Sequence, residues 1–201
     1  MKEVSILPPA KFEAFKAAAI EACDGIDGLR DGIIGVFDPS DFDARQLIGQ
    51  STEAGAITEA DAQAMNLIWA GPHTKAGDRL WYGLGVGNES WGNNWSSAGT
   101  CLVSEIDGKL EPTPFFISVD YVRAWLAKDA NWDWRTLTFD NFEQLFRQSM
   151  DEMAVAESDD PDLSGFRASG GKLIISHAGC DNVIPAMGSV DYYRRIIDTM
   201  G

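Results

Sequence analysis

The run Lys172-Leu173-Ile174-Ile175-Ser176 constrains the fold most, because it starts a structure that its neighbours in sequence do not complete. Gly170-Gly171 turns the chain before it, and a loop from His177 through Asp181 and Asn182 to Pro185 follows. A short apolar run bounded in this way predicts a buried parallel strand. Parallel strands need partners reached through crossovers. The helix expected next, capped by Ser189 with Val190, Tyr193, Ile196 and Ile197 buried, supplies only half of such a unit. The fold class expected is therefore α/β, with most of the sheet contributed from elsewhere. An acid just past the carboxyl end of a strand stands where open α/β sheets gather their chemistry, so Asp181 is a candidate catalytic acid. On the local pattern alone, an Asp turn residue closing a strand is the better reading. His177, four residues earlier, reads as a loop or core histidine, and His73, in a Gly-Pro turn, as an exposed one.

The 201 residues, 45% hydrophobic, can bury a substantial core and allow one domain or slightly more. A net charge of −15 argues against nucleic acid as a partner, because phosphates demand clustered Lys and Arg. It suits a solvated surface and, locally, a divalent-cation site. No apolar run approaches the roughly 20 residues of a membrane span, and the first residues lack the apolar core of a signal peptide. Cys23, Cys101 and Cys180 permit at most one internal disulfide, and their spacing does not suit zinc.

Local signals divide the rest of the chain. Pro8-Pro9 opens a helix that places Phe12, Phe15, Ala19 and Cys23 on one face. Thr58-Glu59-Ala60-Asp61 is a capping box for a second helix, running to Trp69 and stopped by Gly71-Pro72. Residues 71–108, rich in glycine and tryptophan, predict a long ordered loop with short strands. Phe115 to Lys128 predicts a helix with Val119, Val122 and Leu126 on one side, and Trp132 to Arg135 an aromatic turn. Asp140-Asn141-Phe142-Glu143 reads as another capping box, and the acidic Glu157–Asp162 segment as a boundary. Arg123 and Arg135 read as partners of neighbouring aspartates, with contact to a substrate the sharper alternative.

Cys23-Asp24-Gly25-Ile26-Asp27-Gly28-Leu29-Arg30-Asp31-Gly32-Ile33 interleaves acids with glycines that let the backbone turn. Ca²⁺ takes about six to eight oxygens from carboxylates and carbonyls together. The side chains of Asp24, Asp27 and Asp31 with the carbonyls of Leu29 and Ile33 would supply most of them. The spacing is not that of an EF-hand, and a series of solvated Asp-Gly turns is the plain alternative.

In order along the chain, Leu7-Pro8-Pro9-Ala10-Lys11, the Cys23–Ile33 run, Phe37-Asp38-Pro39, Trp69-Ala70-Gly71-Pro72, Asn131-Trp132-Asp133-Trp134-Arg135, Asp160-Pro161-Asp162-Leu163-Ser164, His177-Ala178-Gly179-Cys180-Asp181 and Ser189-Val190-Asp191-Tyr192-Tyr193 together resemble the tannase and feruloyl esterase family of α/β-hydrolases. The resemblance spans nearly the whole chain. It implies an α/β-hydrolase fragment, with a mixed α-rich lid domain carrying a calcium loop over residues 1–162. Residues 163–201 would be one strand, loop and helix of the hydrolase core. It implies a structural Ca²⁺ held by Asp24, Asp27, Leu29, Asp31 and Ile33, and Asp181 as the acid of a Ser-His-Asp triad. The substrates implied are small-molecule esters of aromatic acids, feruloyl or galloyl, and the location is secreted or periplasmic.

The departures from the family pattern shape the expectation. The family's nucleophile elbow lies upstream of the lid and its His downstream of the acid. No Gly-x-Ser-x-Gly occurs in these residues. The chain is therefore expected to be a hydrolase fragment, inactive alone. The family usually bridges the cysteine before the Asp-Gly run to one near the Phe-Asp motif, where this chain has Ser40 and Asp41. That bridge is not expected here. The alternative from another class is a non-catalytic, calcium-stabilised, lid-like binding module.

Overall fold

The computed structural model describes residues 7–35, 42–87, 102–106, 109–179, 181 and 183–201. The Phe37-Asp38-Pro39 motif, Trp91, Trp95, Cys101 and Cys180 lie outside the described residues. The core is built by two helices, α1 (Pro9–Cys23) and α2 (Glu59–Ala70). Pro9 stands in the first turn of α1, where its missing N–H costs nothing. The expected face is the buried one: Phe12, Phe15, Ala19 and Cys23 pack with Ala62, Met65 and Trp69 of α2. Trp69 receives Phe15 and Phe42 edge-on, at centroid distances of 6.3 and 5.7 Å, the arrangement that ring quadrupoles favour.

A buried ion pair crosses this core. Lys11 Nζ donates to Asp61 Oδ2 at 2.5 Å, with the two residues only 8% and 1% exposed. The same oxygen accepts from the Thr58 N–H and hydroxyl, and Thr58 Oγ1 accepts from the Asp61 N–H. The predicted capping box therefore forms, and its acid also neutralises a lysine from α1. This is how a buried charge becomes tolerable.

α2 stops at Gly71, whose φ is +76°. A Cβ there would collide with the backbone of Trp81 to Gly83, and a Cβ at Gly83 would strike the Trp69 carbonyl. The two glycines let segment 81–86 lie against the end of α2, sealed by the Leu84 N–H donating to the Ile68 carbonyl at 3.2 Å. Tyr82, Leu84 and Val86 are thereby presented beside Trp69.

Among the described residues the strands form two antiparallel pairs, β1 (Ser51–Thr52) with β2 (Gly55–Ala56), and β3 (Leu102–Ile106) with β4 (Lys109–Thr113). α3 (Phe116–Tyr121) runs into a wider turn over Val122–Leu126, with Val119 and Leu126 buried on the expected side. A short turn of helix at Trp134–Thr136, capped by Asp133, forms the aromatic turn. α4 (Phe142–Met153), α5 (Ser164–Ala168) and α6 (Met187–Met200) complete the order. No helix among the described residues is long and apolar enough to cross a membrane.

Four expectations are corrected. Residues 172–176 are not a strand: 171–178 run outside both sheets, and Ile174 is 92% exposed. A strand is made by its neighbours' hydrogen bonds, and the described residues offer this segment no edge. The second capping box does not form. Asn141 turns back to accept from the Thr138 N–H and to donate to the Thr136 carbonyl, and Asp140 pairs with Lys75. Ser189 is no cap but lies in the first turn of α6, its hydroxyl bonded to His177. Tyr193 and Ile197 of α6 are exposed instead of buried, because no element among the described residues packs over that face of the helix.

Candidate active site

Asp181 stands in a turn closed by its own N–H, which donates to the Ala178 carbonyl at 3.1 Å. Its Oδ1 accepts from the N–H groups of Val183 and Ile184, each at 2.9 Å. The Ile184 N–H is the strongest influence holding this carboxyl below the usual Asp range. Burial opposes it, and the Val183 N–H and His177 add to it. Among the described residues no backbone N–H donates to Oδ2, which lies 3.6 Å from His177 Nε2. His177 spans two elements, with Nδ1 2.7 Å from Ser189 Oγ and Nε2 3.0 Å from the Ile184 carbonyl. The carboxylate is thus anchored through one oxygen and keeps the other as an acceptor.

The residue lines a cavity of about 500 Å³. Cys23, Phe42 and Trp69 of the N-terminal core form one wall, Tyr82, Leu84 and Val86 a second, and Met187, Val190 and Arg194 of α6 a third. Such a space, mostly apolar with few polar groups, is what a small aromatic ligand requires. The walls are tied together. Tyr82 donates its hydroxyl to Asp191 Oδ1 at 3.0 Å, while Arg195 holds the other Asp191 oxygen at 3.0 Å and pairs with Asp159. Burial, seconded by Asp191, raises the Tyr82 phenol above its ordinary range, so it stays a donor.

The sequence did not reveal Tyr82, Arg79 or Arg194 as lining residues. The expected face of the last helix was Val190 with Tyr193, Ile196 and Ile197, whereas Met187, Val190 and Arg194 share the side that lines the cavity. Arg123 and Arg135 do not line this cavity; Arg123 donates to the Trp132 carbonyl at 3.0 Å, and Arg135 pairs with Asp133 at 3.3 Å. His73 is exposed, with Nδ1 2.9 Å from the Gly71 carbonyl.

The Asp-Gly run is folded back on itself. Asp24 Oδ1 accepts from the N–H groups of Asp31, Gly32 and Ile33, Asp27 from Leu29, and Asp31 from Ile33. The loop is therefore closed end to end by its own first acid. Among the described residues no three acidic, histidine or cysteine side chains gather as a metal cluster. The donor set still fits a hard cation in kind: carboxylates and main-chain carbonyls, all oxygen, on a loop whose closure already brings both ends together.

Comparison with known proteins identifies the class to which this chain belongs. The model of the family described as tannase and feruloyl esterase matches residues 1–201, and the chain belongs to that family. It is 35% identical over 195 residues to a probable feruloyl esterase of Arthroderma benhamiae, covering 94% of this chain and 35% of that protein. An uncharacterized esterase of Xanthomonas campestris is 29% identical over 199 residues, covering 94% and 33%. Feruloyl esterase B from Aspergillus oryzae superposes with a TM-score of 0.76 at 24% identity, over 99% of this chain and 37% of that one. The tannin acyl hydrolase from Aspergillus niger gives 0.81 at 20% identity, over 96% and 37%. The last two likenesses speak for the fold. The chain spans about a third of the length of the relatives it matches.

Proposed function

We propose that this chain supplies the lid and the triad acid of a serine carboxylic ester hydrolase that acts on esters of aromatic acids, feruloyl or galloyl. The observation that supports it most is Asp181: one oxygen held by two backbone N–H groups, the other available, at the edge of a cavity walled by Phe42, Trp69 and Tyr82. In this reading Oδ2 accepts the N–H of a catalytic imidazole, keeps it in the tautomer that takes the proton from serine, and stabilises the imidazolium that follows. The serine and histidine belong to the two thirds of the family's length that this chain does not span. Residues 163–201 are then the portion of an α/β-hydrolase core that carries the acid. The lid aromatics exclude water and pack the acyl ring.

Side chains of Asp24, Asp27 and Asp31 and carbonyls of Leu29 and Ile33 would hold a structural Ca²⁺. The cation would brace the loop that leads from α1 toward the cavity residues Ile26, Ile34 and Gly35. The test of function is hydrolysis of methyl ferulate and methyl gallate by the protein that carries this chain, with and without Asp181→Asn. The substitution should lower kcat by about 10³–10⁴-fold, as expected for a misoriented histidine, without loss of fold. An undiminished rate would reject the assignment.

A further inference from the structure

We infer that His177 is a positioning residue for the Asp181 carboxylate, tying the acid's loop to α6 through a hydrogen-bond chain from Ser189 to His177 to Ile184. The inference rests on reading Asp181 as the triad acid. Ile184 is the hub. Its N–H donates to Asp181 Oδ1 at 2.9 Å and its carbonyl faces His177 Nε2 at 3.0 Å. Pro185 follows, which disfavours helical backbone at the residue carrying both groups and makes its carbonyl part of a tertiary amide. A histidine that holds this carbonyl holds the amide beside it, and with it the orientation of the acid.

Hydrogen-bond chemistry sets the proton. A carbonyl accepts only, so Nε2 carries the hydrogen. In the neutral ring Nδ1 is then an acceptor, and the Ser189 hydroxyl at 2.7 Å must donate to it. Ser189 lies in the first turn of α6, where the backbone is fixed by Ser189 and Val190 N–H donating to Ala186. The chain thus runs from a helix to the acid with every donor matched to an acceptor. Asp181 Oδ2 remains outside it: at 3.6 Å from Nε2 the contact exceeds a hydrogen bond. His177 fixes the loop without consuming the oxygen that the catalytic imidazole needs.

Ser189, His177 and Asp181 are also the three residue types of a self-contained hydrolytic triad. The geometry disfavours that use. The ring nitrogen opposite Ser189 is spent on a neutral carbonyl, so an imidazolium formed there would have no carboxylate at hydrogen-bond distance.

The test is made first on the 201-residue chain, where no turnover is needed. Nitrogen-15 spectra of the ring should show His177 as the Nε2–H tautomer with Nδ1 accepting, and Ser189→Ala should move the Nδ1 signal. Carbon-13 titration should show the Asp181 carboxyl moving up toward the ordinary value of about 3.9 in His177→Ala, while Ser189→Thr leaves it in place. In the esterase that carries the chain, His177→Ala should lower kcat about 10–100-fold with KM unchanged, the cost of a misplaced acid. Ser189→Thr should retain the parent rate. An Nδ1–H tautomer, an Asp181 titration that ignores His177→Ala, or an undiminished kcat would each overturn the inference. So would hydrolysis of p-nitrophenyl acetate by the 201-residue chain that disappears in Ser189→Ala, because Ser189 would then be a nucleophile. The tautomer and titration stand whether or not Asp181→Asn abolishes turnover, so failure of the clamp and failure of the triad reading give different results.

Discussion

At the scale of single residues, two carboxylates are held by contrasting means. Asp61 is deep, 1% exposed, and balanced by Lys11 at 2.5 Å and by the Thr58 N–H and hydroxyl. Removing it leaves an ammonium in the core without its counter-charge and takes away the carboxylate half of the α2 capping box, while the Thr58 hydroxyl still accepts from the N–H of residue 61. Asp61→Ala is therefore expected to cost about 3–5 kcal/mol, the range for breaking a buried pair from one side, read from urea unfolding. Lys11→Met, which leaves Asp61 its Thr58 donors, should cost clearly less. Asp181 is held by backbone instead. Its folded carboxyl titrates below the unfolded value, chiefly through the Ile184 N–H. Its contribution to stability is thus present above an unfolded pKa of about 3.9 and lost as the pH falls through the lower folded value. Asp181→Asn should flatten that acid limb of the stability curve; a limb of unchanged slope would show that the Val183 and Ile184 bonds do not survive in solution.

At the scale of elements, legibility follows how local the determinants are. α1 and the Thr58 cap of α2 were readable because the residues that make them lie within one or two turns. The apparent cap at Asp140 failed because Asn141 has a better offer from Thr136 and Thr138, only a few residues back. Ser189 failed as a cap because its hydroxyl meets a histidine twelve residues away, which no window on α6 contains. The candidate site was legible as Asp181 itself, whereas Tyr82 and Arg194 reach the cavity by tertiary packing alone. The Asp-Gly loop is the element whose role is most directly measurable. If it holds Ca²⁺ as proposed, calcium at about 100 times its Kd should stabilise the chain by about 2.7 kcal/mol through binding linkage. Chelation should reverse the gain in the thermal midpoint, and Asp27→Ala should abolish it. A midpoint indifferent to calcium would leave the loop closed only by its own Asp24 hydrogen bonds.

At the scale of the whole molecule, the N-terminal core and the C-terminal segment differ in what they need. The helices α1 and α2 bury their apolar face against each other. The C-terminal segment leaves Leu173, Ile174, Val183, Ile184, Tyr193 and Ile197 in solvent on the 172–176 run, the acid loop and α6. Apolar residues concentrated in so short a stretch mark a surface built to be covered, and the backbone of 171–178, which lies outside both sheets, offers hydrogen-bonding groups that a neighbouring strand would satisfy. The sequence pattern that reads as a buried strand and the structure that shows it exposed are consistent if the covering layer is the remainder of a hydrolase core. The 201-residue chain should then bind a hydrophobic dye such as ANS and self-associate as its concentration rises. Ile174→Lys, placed at the most exposed apolar side chain of this segment, should weaken both while leaving the helical content unchanged. In the longer protein the same substitution should instead destabilise the fold, by about 2–4 kcal/mol if a lysine must enter a packed sheet. Sedimentation and denaturant unfolding on the two lengths would separate these outcomes. A substitution that is harmless in the longer protein would mean that residues 172–176 stay in solvent there too, and the segment would not be a core strand at all.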